Sequence, residues 1–349
     1  MVPVEWPIAA AGDSGGPGAA RVAARDRLRT ARADFFLDPR ARLSEQERAL
    51  MTGMLADLVN TLADEIRSGL AGSEPANDED DQLFQLLRDA GLLDIPDLVA
   101  LLLRRAEEER IGGAIRAARG TGKPRFVQSL VSDEDPEVSA AAMALILARS
   151  RRRDRFERPR IIFDDLSAEA ATAVTASVAA GLRADLVKRL DACEADDRIA
   201  RASHSLLSRH DEGNRIEARL FDLVHALDCS GRLDEKLVRS ALDDGELSLL
   251  AEIVGRGAGI GFDAAWDHLS GGSGDLALLL RMSGVSRPVA GDIIACLSDA
   301  TGSDAEAEIA AFDALTDEQA ERARKWCRLD PTYRSAIDSL AGGDGKRAL

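Results

Sequence analysis

The chain has 349 residues, enough for two ordinary domains or one continuous helical array. Apolar residues make up 45% of it but aromatics only 4%, so its core must be Leu, Val, Ile and Ala; Ala and Leu are the best helix formers, and the β-branched and aromatic residues that strands favour are scarce. A net charge of −16, counting His as neutral, repels phosphate backbones and disfavours non-specific binding to nucleic acid or to an anionic membrane.

Residues 1–18 are rich in Gly, Pro and Ala, carry no periodicity and lack the basic-then-apolar order of a secretory leader. They read as a disordered tail on a cytoplasmic protein. Apolar runs such as Leu98–Leu103 fall well short of the about 20 residues a membrane span needs. Cys193, Cys229, Cys296 and Cys327 lie more than 30 residues apart with no CxxC, the pattern of reduced thiols.

Residues 19–120 read as an N-terminal helical region. A helix is expected from Ala19 to Phe36, ended by Asp38-Pro39. Ser44-Glu45-Gln46-Glu47 then forms a capping box. Behind it Leu50, Met54, Leu58, Leu62, Ile66 and Leu70 recur every four residues, with Met51, Leu55 and Val59 beside them. That stripe runs along roughly 40 Å of helix at about 1.5 Å per residue, and it serves either the chain's own core or a homodimer seam. Residues 73–81 are an acidic connection, followed by helices over 82–90 and 96–118, with Gly112-Gly113 as a kink or stop.

Residues 121–341 read as a repeat region, and 342–349 as a frayed tail. Phe126, Val127 and Leu130 suit a short helix, Ser132–Pro136 a turn, and Val138, Ala142 and Leu145 one face of an Ala-rich helix that Pro136 opens. Short helix, Asp-rich turn, Pro-Glu-Val and Ala-rich helix is the grammar of a HEAT repeat, in which neither helix pair buries its apolar face alone. Ser139 stands where a basic residue is common. Further helical pairs are expected at 167–192, 194–228, 233–256, 262–283 and 286–301, then a segment from Thr316 to Leu340 broken at Pro331. The fold expected is all-α: antiparallel helix pairs stacked as a HEAT-like solenoid behind a subdomain with one long helix.

Three stretches carry a family likeness: ADFFLDPRARLSEQERALMTGML (33–55), DDLSAEAATAVTASVAAGLR (164–183), and RLDEKLVRSALDDGELSLLAEIVGRGAGI (232–260) continuing into LALLLRMSGVSRPVAGDIIACL (276–297). In these the chain resembles a bacterial, largely alphaproteobacterial, family of HEAT-like helical-repeat proteins catalogued as a domain of unknown function. The second stretch lacks the family's polar-aromatic middle. The resemblance implies the fold and carries over no catalytic residue.

Chemical motifs are scarce. Arg119-Gly120-Thr121-Gly122-Lys123 has the look of a phosphate loop, but Ala117 and Pro124 occupy its first Gly and its Ser/Thr positions, which leaves a turn. Gly255, Gly257, Gly259 and Gly261 follow a helix and miss the dinucleotide register. His225 and Cys229 share a helical face, two ligands where zinc needs three or four. No catalytic residue, cofactor site or metal site is expected. The anomaly is basic: Arg149, Arg151, Arg152, Arg153, Arg155, Arg158 and Arg160 crowd twelve residues that hold only Asp154 and Glu157 as acids. This is either a solvated helix end or a docking patch for an acidic protein segment or a phosphate. The leading functional expectation is a non-enzymatic interaction scaffold or regulatory adaptor for an unidentified protein. A nucleic-acid-binding HEAT-like protein and an enzyme with an inter-helix site are the alternatives.

Overall fold

The computed structural model describes residues 42–70, 80–271 and 274–330, with part of 332–340. The expected tail at 1–18, the helix from Ala19 to Phe36 and the tail at 342–349 lie outside them. Gln46–Leu349 is one compact unit. Its described residues contain helices and no strand, apart from an isolated antiparallel bridge between Arg153 and Pro159. No helix among them is long and apolar enough to cross a membrane.

The helices are α1 (Glu45–Gly69), α2 (Asp80–Asp89), α3 (Pro96–Arg119), α4 (Phe126–Ser129), α5 (Pro136–Ser150), α6 (Ala168–Leu186), α7 (Ala192–Leu207) and α8 (Ile216–Cys229). Then come α9 (Glu235–Asp243), α10 (Leu247–Ala258), α11 (Phe262–Leu269), α12 (Asp275–Ser283), α13 (Arg287–Thr301), α14 (Ala305–Ala314) and α15 (Asp317–Cys327). Their starts are chemically marked. Asp135, Ser167, Asp191, Asp234 and Asp304 each accept a backbone N–H of the helix they open, and Thr316 with Gln319 forms a capping box.

Two hydrophobic cores result. The first joins Met54, Leu58, Leu62 and Ile66 of α1 to α2, to Leu98 and Leu102 of α3, and to α6 and α7. The second joins Ile111 and Ile115 of α3 to α5 and to α8 through α15. Each fully buried Leu or Ile contributes about 1.5–3 kcal/mol. α3 therefore threads both cores, and the packing does not follow the division expected at residue 120. The α1 stripe is spent on the chain's own core, with Leu50, Met51 and Leu55 packed against the same cluster, so the dimer-seam reading loses its residues.

Several local readings are corrected. α2 begins at Asp80, inside the acidic connection. The spans 167–192 and 286–301 each hold mainly one helix, α6 and α13, and α14 was not anticipated. Gly112-Gly113 does not stop α3, which continues to Arg119. Gly112 instead faces Gly245: a Cβ on it would stand 2.4 Å from the Gly245 carbonyl oxygen. Only two glycines allow α3 to pass this close to the turn between α9 and α10, where Gly245 has φ +63.

Candidate functional site

α5 ends at Ser150, and the arginine-rich run after it doubles back as a hairpin. Arg160 N–H donates to the Arg152 carbonyl at 3.0 Å and Asp154 N–H to the Arg158 carbonyl at 3.0 Å. The Asp154 carboxylate closes the turn by accepting the N–H groups of Phe156 (2.7 Å) and Arg158 (2.8 Å). Those bonds, the Arg158 amide foremost, hold the Asp154 carboxyl below its ordinary range. Glu157 takes φ +63, alone among described non-glycine residues, a conformation that costs roughly 1 kcal/mol or more.

The seven arginines divide. Arg149 is bidentate to Glu246 of the α9–α10 turn. Arg152 is buried against Asp165. Arg153 reaches Glu109 of α3 at 2.7 Å, and Arg160 reaches Asp57 of α1 at 2.8 Å. Arg152, Arg153 and Arg160 fasten the hairpin to the body and Arg149 fastens the end of α5, so the docking patch expected over all seven is corrected for these four: each guanidinium already holds a carboxylate. Arg151, Arg155 and Arg158 remain exposed. Arg155 and Arg158 stand over the ring of Phe156, at 4.6 and 5.6 Å from its centroid, and that ring is 62% exposed at the hairpin tip.

Behind the hairpin lies a cleft of about 660 Å³, walled by α3, the Gly122–Pro124 turn, the end of α5, the hairpin and Gly245-Glu246. A charged stretch of α3 supports it. Arg105 is buried, binding Glu217 at 2.7 Å and Glu108 at 3.1 Å. Burial alone would push the Glu217 carboxyl up, yet Arg105 and Arg104 together hold it down. Glu246 goes the other way: burial raises it against the pull of Arg149. Arg110 ties the stretch to Glu47 of α1 at 2.7 Å. In sequence this segment, Arg104–Arg110, has the spacing of a solvated helix face, and nothing local reveals that its distant ion-pair partners lie 44 to 159 residues away.

Most of this geometry falls within residues 84–325, the span that matches a family described as an uncharacterised protein conserved in bacteria (DUF2336). The chain belongs to that family. The DUF2336 match takes in the hairpin, the cleft and both cores from Phe84 to residue 325, while α1 precedes it and Cys327 follows it. No curated protein and no solved structure matches the chain.

A second cluster escaped the sequence reading. Cys327 Sγ lies 3.3 Å from His268 Nε2, and Asp275 Oδ1 lies 3.9 Å from His268 Nδ1. The connectivity is that of a nucleophile, a base and an orienting acid. The environment opposes that use: burial raises the Cys327 thiol and lowers His268, favouring the neutral forms of both. Cys327 also closes α15, where the negative end of the helix dipole disfavours a thiolate. His225 and Cys229 do meet, at 3.8 Å, and His225 also contacts Arg256 at 3.1 Å. Among the described residues no three potential ligands converge as a metal site. The Arg119–Lys123 segment is a turn that ends α3, with Thr121 N–H on the Arg116 carbonyl at 3.0 Å.

Proposed function

We propose that the chain is a non-enzymatic interaction module, a scaffold or regulatory adaptor in the cytoplasm, built as a HEAT-like array. Its docking element is the hairpin tip, Arg155, Phe156 and Arg158, with exposed Arg151 at the hairpin's base, and its partner presents an acidic segment. The observation carrying this reading is the tip itself: an exposed aromatic ring with two guanidinium groups over it, on a turn whose left-handed residue is held in place by Asp154. Aromatic and Arg side chains are the usual anchors of interfaces, and a preorganised turn reduces the ordering cost of binding. Against a net charge of −16 the basic tip is a local reversal of field, which attracts an acidic partner while the remaining surface repels other acidic proteins. Successive helices that pack on one another, as α9 on α10, α10 on α11 and α11 on α12, support the HEAT-like reading.

Site-specific photocrosslinking in the host cell tests this. A benzophenone side chain at position 156 should capture a discrete protein through an acidic peptide, whereas the same group at exposed Leu86 should not. Equal capture at both positions, or a peptide without acidic residues, refutes the proposal.

A further inference from the structure

The cleft behind the hairpin has features the docking reading does not use. Its volume of about 660 Å³ lies within the about 300–1,000 Å³ typical of small-molecule sites. Seven basic and five acidic side chains line it, a basic excess inside a strongly acidic chain. Val127, Ile146 and Ile216 add an apolar wall.

The charges are unevenly spent. Arg149, Arg152, Arg153 and Arg160 each hold a carboxylate, but Arg116 is half-buried and has no ion-pair partner among the described residues. Its guanidinium lies along α3 beside Gly112 and Gly113, whose missing side chains leave it room. Lys123 bonds Glu157 at 3.2 Å with both side chains largely exposed, a pair released at little cost. Deeper in, Arg105 is buried and its Nε has no hydrogen-bond partner among the described residues. The Arg105 fork already holds Glu217 and Glu108, so it is the half-buried Arg116 that has donors to spare, and a guanidinium fork suits phosphate.

We propose that this cleft binds a small phosphorylated ligand of nucleotide size. Arg116 and Lys123 take the phosphate, and the apolar wall takes the body of the ligand. The phosphate ligands Arg116 and Lys123 lie outside the docking tip, and the two sites meet only where Lys123 bonds Glu157 of the hairpin. It is not a nucleotide-hydrolysing loop, since Pro124 stands where a magnesium-binding hydroxyl would be needed.

Isothermal titration calorimetry on the full chain, with ADP, inorganic pyrophosphate and adenosine as probes, tests it. ADP and pyrophosphate should each bind saturably at one site, ADP at least tenfold more tightly than either of the other two. Arg116→Gln should weaken ADP at least tenfold without lowering the melting temperature. Lys123→Gln, at a position too exposed to affect folding, should weaken it severalfold, and Arg119→Gln should leave it unchanged. Absence of saturable ADP binding, or binding indifferent to both Arg116→Gln and Lys123→Gln, overturns the site. Pyrophosphate or adenosine binding as tightly as ADP overturns the division into phosphate and apolar subsites.

Discussion

Arg152 and Asp165 form an ion pair, Nη2 to Oδ1 at 2.6 Å, in which the side chains are 6% and 0% exposed. Arg152 also donates to the carbonyls of Ala148 (2.7 Å) and Asn214 (2.9 Å), while Asp165 accepts the Ile162 N–H at 3.1 Å. One guanidinium thereby joins the end of α5, the chain leading into α6, and the chain leading into α8. Removing either partner leaves a buried charge uncompensated, at a cost of about 3–5 kcal/mol. Arg152→Ala and Asp165→Ala should each lower the denaturation midpoint sharply, while Arg151→Ala, on an exposed neighbour, should leave it in place. Denaturant titration of the three variants decides this; equal midpoints would make the pair irrelevant to stability.

The crossing of Gly112 and Gly245 predicts a contrast between adjacent residues. A methyl group at Gly112 would meet backbone at 2.4 Å, whereas the nearest atom to one at Gly113 is an Arg116 side-chain nitrogen at 3.9 Å. Gly112→Ala should reduce stability by about 1–3 kcal/mol or more through overpacking. Gly113→Ala should leave stability unchanged or raise it by up to about 1 kcal/mol from helix propensity. Thermal melts of the two variants would contradict the crossing if they moved together.

Burial pushes Glu252 of α10 up to about 7, with Arg256 pulling against it. Burial also pushes Glu107 of α3 up to about 7, with Glu47 adding to the effect. An unfolded Glu titrates near about 4.3, so between that value and about 7 the native state binds more protons than the unfolded one. Stability from these groups is therefore present at low pH and is lost as pH rises through that window. Glu252→Gln should melt progressively higher relative to the unsubstituted protein as pH goes from 5 to 8. The difference between the two curves cancels the other titrating groups, and parallel curves would show that Glu252 does not titrate there.

What the sequence revealed was what local chemistry determines. The stripe on α1, the Pro136 and Thr316 helix starts and the turn after Arg119 follow from spacing and capping. α14 was missed because its apolar residues are mostly Ala, giving Ile309 and Phe312 too little contrast to show a period. At the candidate site the run of arginines was visible, but not its division into anchors and tip. Arg152 and Arg151 are chemically identical neighbours, and only the fold brings Asp165 to one of them. The Cys327–His268 contact, across 59 residues, had no local trace at all.

The proposed docking surface is Arg155 and Arg158 at the tip with Arg151 at its base, three exposed arginines beside four that pair with carboxylates. The triple variant Arg151→Glu, Arg155→Glu and Arg158→Glu tests it most directly, with melting temperature and capture of the partner crosslinked at position 156 measured on the same preparation. Exposed charges contribute little to stability, so melting should shift by no more than about 2 °C while capture falls at least tenfold. Undiminished capture, or a loss of folding as large as that of Arg152→Ala, would contradict it.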